Sequence, residues 1–178
     1  MTTYIALLRG INVSGKNKIP MANLRALCSD LGFKNVKTYI QSGNVVIQTT
    51  EERASDLEAK ISEAILKVFG FEVFVLVKTE SEFQDIFESC PFSESQKEVS
   101  YFTLLKELPE FNLVDATSKI SYTDETFIIS ESCVYFYSKH GYGKAKGNNN
   151  FFERKLKVPA TTRNFKTMQK LLSLCSDL

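Results

Sequence analysis

Between Tyr4 and Val77 the apolar residues change period in an order that few folds can accommodate. Tyr4 to Leu8 is a short, nearly continuous apolar run, too short for a helix, and predicts a central strand ending at Arg9-Gly10. Beyond a polar loop, Pro20 suits a first helical turn. Met21, Leu24, Leu27, Cys28 and Leu31 fall on one helical face, and Gly32 supplies a left-handed stop. Val36 to Gln41 and Asn44 to Thr49 are rich in β-formers and separated by Ser42-Gly43, the chemistry of a tight hairpin. Leu57, Ile61, Ala64, Ile65 and Val68 then form a second helical stripe, with Ser55 and Glu58 at capping-box spacing. Gly70 closes that helix before a strand from Phe71 to Val77. The order βαββαβ in about 75 to 80 residues predicts a ferredoxin-like plait, an antiparallel sheet with both helices on one face.

The second half restarts. Ser81 and Gln84 suit the cap of a short helix carrying Phe83, Ile86 and Phe87, which Pro91 ends. Strands are expected at Val99 to Leu105, Thr126 to Ser130 and Cys133 to Ser138. Pro109 to Ile120 is compatible with a helix through Leu113, Ala116 and Ile120, and a final helix carries Phe165, Met168, Leu171, Leu172 and Cys175. The expectation is an α+β protein of two plait-like subdomains, residues 1–79 as the ferredoxin-like βαββαβ unit and 80–178 as a related antiparallel sheet with helices. A chain of 178 residues, 43% apolar, should bury roughly 70% of its unfolded surface, so its core needs no metal or disulfide.

Charge narrows the partners. With 22 basic and 21 acidic residues the formal charge is +1, which supplies no global field for nucleic acid or anionic lipid. Nucleic acid is therefore disfavoured as a partner, and no apolar stretch reaches the roughly 18 residues of a membrane span. The amino terminus lacks the basic and long apolar regions of a secretory signal, so the expected location is cytoplasmic. Cys28, Cys90, Cys133 and Cys175 are dispersed and form no Cys-x-x-Cys pair, which reads as reduced, mostly buried thiols. No pattern in the chain fixes a subunit number.

Three polar segments stand where elements begin or end: Arg9 to Pro20, Thr38 to Val45 and Thr161 to Thr167. Gly10 to Lys16 fits the phosphate-loop pattern G-x-x-x-x-G-K, but Asn17 stands where a Ser or Thr would hold Mg²⁺, and Pro20 delays the helix. No acidic strand end completes a metal site. The loop nonetheless suits an anion, because Gly10 and Gly15 permit close backbone approach, Lys16 and Lys18 add charge and Arg9 offers a bidentate fork. The plain alternative is a polar connection in which Asn12 caps a turn. Ser42, Gly43 and Asn44 read first as a hairpin with φ > 0 at Gly43, and their proximity to Arg9 stays open. Thr161, Thr162 or Asn164 can cap the last helix. Arg163, a cation at that helix's amino end, calls for an acidic partner or an anionic ligand.

His140 to Asn150, with Lys144, Lys146 and three glycines, reads as a solvated loop or as a phosphate or single-strand contact in which Tyr142 stacks. The single histidine, His140, has no recognisable nucleophile beside it, which removes the familiar triads. No ligand set for zinc is clustered, and no cofactor is indicated. The βαββαβ half lacks the third-strand aromatic platform of RNA-recognition sheets.

Taken together, LLRGIN at Leu7 to Asn12, GKNKIPM at Gly15 to Met21, TYIQSGNV at Thr38 to Val45 and TTRNFKT at Thr161 to Thr167 resemble the domain of unknown function 1697 family. The likeness spans nearly the whole chain and implies a bacterial cytoplasmic α+β protein of two similar plait-like subdomains with no assigned activity. Members usually carry Gly at position 14, Ala at 162 and often Trp at 165, where this chain has Ser14, Thr162 and Phe165. Arg9, Gly10, Asn12, Lys16, Ser42, Gly43, Asn44, Arg163 and Asn164 carry over as family-pattern positions, with no catalytic role implied. The functional expectation is a binding domain for a small phosphate- or carboxylate-bearing ligand held by Arg9, the Asn12 to Lys16 loop and Arg163. Its alternatives are an enzyme acting on a phosphorylated small molecule and a structural or protein-interaction module.

Overall fold

A computed structural model describes residues 1–50 and 53–177. Its contacts separate two compact units, Met1–Asp85 with Lys170–Leu178, and Ile86–Gln169.

In the first unit, β1 (Thr2–Arg9), α1 (Met21–Asp30), β2 (Lys34–Tyr39), β3 (Asn44–Thr49), α2 (Ala54–Phe69) and β4 (Phe74–Thr79) follow the predicted order. The strands lie β2-β3-β1-β4, all antiparallel, with Leu7 of β1 opposite Asn44 on one side and Leu76 on the other. β1 is central, and its apolar run Tyr4 to Leu8 is buried throughout. Tyr4, Ala6 and Leu8 alternate onto one face and meet Leu24, Leu27 and Cys28 of α1 and Leu57, Ile61 and Ile65 of α2. Burying each such aliphatic side chain contributes about 1.5 to 3 kcal/mol, so this face is the main source of the unit's stability. Gly70 ends α2 in the left-handed conformation at φ 79°, with its N–H on Leu66 O.

Neither expected capping box forms as placed. At α2 the N-cap is Arg53 and no side-chain cap forms; Glu58 is instead buried and accepts from Val77 N at 3.0 Å. β4 is an edge strand, and an acidic side chain from the overlying helix answers a backbone donor that the sheet leaves open. At α3 (Glu80–Glu88) the capping box is Thr79 with Glu82: Thr79 Oγ1 accepts from Glu82 N at 3.2 Å, and Glu82 Oε2 accepts from Thr79 N at 2.8 Å. That box lies two residues before the expected Ser81/Gln84 pair.

The second unit contains α4 (Glu94–Lys97), β5 (Tyr101–Leu105), α5 (Phe111–Ser118), β6 (Glu125–Ile129), β7 (Cys133–Ser138), α6 (Asn149–Leu156) and β8 (Ala160–Asn164), and α7 (Phe165–Ser176) follows. Its sheet runs β6-β7-β5-β8, all antiparallel. From β5 onward this is again βαββαβ with the strand order of the first unit. Phe136, Phe151, Phe152, Leu156 and Val158 form its core with Tyr101, Phe127 and Tyr142 packed against them. On the other face Phe87 lies 5.8 Å from Phe102 and 5.2 Å from Phe165.

Sequence reasoning missed α6 and β8. Thr161 to Arg163, expected at a helix start, form a strand whose Thr162 pairs with Thr103 and whose Arg163 pairs with Phe102; threonine favours such a pleated, half-buried surface. His140 to Asn150 is a built connection rather than a free solvated loop. Glu125 accepts from Lys146 N at 2.9 Å and from Gly147 N at 3.0 Å, and Asn148 caps α6 by accepting from Phe151 N at 3.0 Å. The division between units falls within α3 and α7, so residues 170–178 belong with the first unit, unlike in a single cut after residue 79.

Candidate functional site

β1 delivers Arg9 to the rim of the first sheet, and the chain then turns through Gly10 (φ 75°) into a loop organised by Asn12. Asn12 Nδ2 donates to Ile19 O at 2.9 Å and to Gln41 O at 2.8 Å, while its Oδ1 accepts from Ile19 N at 2.8 Å. Asn17 Nδ2 closes the loop onto Gly10 O at 3.1 Å. Buried Ile11 and Ile19 anchor both ends. Between them Val13 to Lys18 are exposed, and Asn12, Ser14, Gly15 and Asn17 all have positive φ. Lys16 N donates to Val13 O at 2.9 Å and Asn12 N to Asn17 O at 3.1 Å, so the loop closes on itself as a small antiparallel turn through Ser14 and Gly15.

The second polar segment packs against the first. Leu8 N donates to Gly43 O at 2.8 Å, and a Cβ on Gly43 would stand 2.6 Å from Leu8 Cβ and 3.0 Å from Ile11 Cδ1. Asn44 is fully buried, with Nδ2 donating to Tyr39 O at 3.1 Å and to Ser42 Oγ at 2.9 Å. Arg9, Gly10, Asn12, Gly15 and Lys16 thus share one end of the first unit with Ser42, Gly43 and Asn44. Within this group the amides serve the backbone, while Lys16 and Lys18 face solvent.

Arg163 and Asn164 lie in the second unit. Arg163 is a buried strand residue rather than a helix-end cation, with Nη1 donating to Thr161 Oγ1 at 2.8 Å and to Thr162 O at 2.9 Å. Burial lowers its pKa to about 10, so it stays charged at neutral pH. Asn164 Oδ1 accepts from Thr167 N at 2.9 Å and caps α7. Thr162 Oγ1 donates to Asn149 Oδ1 at 2.9 Å and accepts from Tyr142 OH at 3.3 Å, so the hydroxyl of Thr103, 2.8 Å away, acts as donor to it. Tyr142 OH in turn accepts from Asn149 N at 2.8 Å, and its ring stacks on Tyr101 at 4.6 Å. Sequence reasoning passed over Thr103, Glu125 and Asn149; an Asn before Phe151, Phe152 and Leu156 was the available signal for the α6 cap.

Among the described residues, no three His, Cys, Asp or Glu side chains group as metal ligands, and no helix is long and apolar enough to cross a membrane. All four cysteines are free. Burial pushes the Cys28 thiol up to about 12 and the Cys133 thiol well above its ordinary value, which makes both poor nucleophiles.

Fold and site together define a tandem of two ferredoxin-like units with a braced polar loop at one end of the first. The chain belongs to the protein family of unknown function DUF1697, whose family model matches residues 1–135. Among solved structures it is similar to the conserved bacterial protein SP0830 from Streptococcus pneumoniae, with 27% identity and a TM-score of 0.74 over 97% of this chain and 98% of that one. Comparison with curated proteins gave no match.

Proposed function

We propose that this protein is a binding protein for a small phosphate- or carboxylate-bearing ligand, seated on the Gly10 to Lys18 loop beside Arg9. One observation carries the reading: Asn12 spends its side chain on Ile19 and Gln41, which braces a loop whose exposed part bears Lys16 and Lys18. A braced loop binds with less ordering cost than a free one. The same reading places the protein in the cytoplasm, where its buried thiols stay reduced.

The test is a thermal-shift series at low, fixed salt with inorganic phosphate, nucleotides, sugar phosphates and dicarboxylates, on the parent protein and on Lys16→Ala/Lys18→Ala. A ligand at 100 times its Kd stabilises by about 2.7 kcal/mol, a shift of several degrees. A shift in the parent that disappears in the double variant supports the reading. Silence from every compound, or a shift that survives the double variant, rejects it.

A second reading, a structural or protein-interaction module, is favoured by the inward use of the motif amides: Asn12, Asn44 and Asn164 each bond to backbone within their own unit. It predicts that Asn12→Ala loses stability and that no small molecule shifts the melting temperature.

A further inference from the structure

In the second unit, the start of β5 and the ends of β7 and β8 border an open cavity of about 420 Å³, within the roughly 300 to 1,000 Å³ of small-ligand sites. Tyr101 and Tyr137 border it from opposite faces of the sheet, and Glu98, Lys139, Asn164 and Lys166 supply polar groups. Tyr101 is held by its stack on Tyr142, and Tyr137 lies 6.3 Å from Phe92.

The charges of this lining are not equivalent. Lys139 Nζ lies 3.0 Å from Asp124 Oδ1, and the other Asp124 oxygen faces His140 Nε2 at 3.4 Å, so the Lys139 charge is answered within the protein. Among the described residues, neither the Glu98 carboxylate nor the Lys166 ammonium takes part in an ion pair or side-chain hydrogen bond. Asn164 spends its oxygen on Thr167 N, while its amide nitrogen has no partner among the same residues. One cavity therefore offers an unspent cation, an unspent anion and an amide donor.

A simple anion would leave Glu98 opposed, and a simple cation would leave Lys166 opposed. A ligand with both charges satisfies each. We propose that this cavity binds a small zwitterion of the amino-acid class, with its carboxylate on Lys166 and the Asn164 amide and its ammonium on Glu98. This site lies in the second unit, and its reading does not depend on the anion reading of the Gly10 to Lys18 loop in the first.

The experiment is calorimetric titration of the whole protein with individual L-α-amino acids and ω-amino acids, each paired with its decarboxylated amine and its deaminated acid. The expected result is that at least one zwitterion binds and both of its single-charge partners bind at least tenfold more weakly. Glu98→Gln and Lys166→Met should each weaken that binding by tenfold or more, and Lys16→Ala should leave it unchanged. Glu98 and Lys166 are exposed, so both variants should melt as the parent does without ligand. The proposal is overturned if no zwitterion binds, if deaminated acids bind equally well, or if binding survives Glu98→Gln or Lys166→Met. Binding lost in Lys16→Ala but kept in Lys166→Met would overturn it too, by placing the ligand on the first unit's loop.

Discussion

At Gly43 the backbone has φ 77°, and a methyl group there would collide with Leu8 and Ile11. Gly43→Ala should cost about 2 to 4 kcal/mol, adding left-handed strain to overpacking; urea denaturation would show it as a lower midpoint at unchanged slope. Asn12→Ala should cost about 1 to 3 kcal/mol, because it leaves Ile19 N without its acceptor and two carbonyls without their donor. Asp124 gives a pH effect of known sign. Lys139 and then His140 hold its carboxyl below the ordinary value, so its contribution is present above the unfolded pKa and lost as the pH falls through the folded one. Asp124→Asn should therefore flatten the acid limb of stability below about pH 4 while leaving the profile above pH 5 nearly parallel to the parent's; urea midpoints measured from pH 2.5 to 7 test this. At this scale residue types were legible in the sequence and their duties were not. Asn12, Gly43 and Asn44 stood out as special positions, but an Asn that braces a loop and an Asn that touches a ligand have the same letter and the same neighbours. Only the 2.8 Å bond from Asn12 to Gln41 O, 29 positions away, separates the two roles.

Elements were legible wherever an apolar period ran uninterrupted between stops. β1, α1 and α2 follow from Tyr4 to Leu8, from the stripe through Leu24 and Leu27, and from the stripe through Leu57, Ile61 and Ile65. β8 had no such pattern. Ala-Thr-Thr-Arg-Asn neither alternates nor runs apolar, and its strand identity comes from the β5 register, a partner more than 50 residues earlier. α6 was hidden by three asparagines that look like a turn, although the first of them is the cap. Because Glu125 of β6 receives two backbone donors at the approach to α6, Glu125→Ala should cost about 1 to 3 kcal/mol. It should also raise amide exchange at Lys146 and Gly147 ahead of the strands, which hydrogen exchange followed by mass spectrometry would resolve.

The whole molecule repeats one strand order in two units, which the sequence announced for the first and only suggested for the second. The missed part is the chain's return. Lys37 Nζ of β2 donates to Leu174 O at 3.3 Å and Asp177 O at 3.0 Å, placing a cation at the carboxyl end of α7, where it complements the helix dipole. Leu171, fully buried, belongs to the same unit. Leu171→Ala should cost about 2 to 5 kcal/mol, read as a lower denaturation midpoint. No local pattern betrays such a return, because a helix stripe specifies that a face is buried and not what buries it.

That return has a consequence for how the protein is made. Residues 1–85 leave the ribosome before residues 170–178, yet the unit they build is completed by that later segment. At roughly 5 to 20 residues per second the intervening chain takes about 4 to 17 seconds to translate, so the first plait waits beside the exit tunnel with part of its apolar surface uncovered. Its neighbour, contained within residues 86–169, has all its strands before that closure arrives. The order of synthesis and the order of completion are thus reversed, and the nascent first unit is where a holding chaperone would have most to shield.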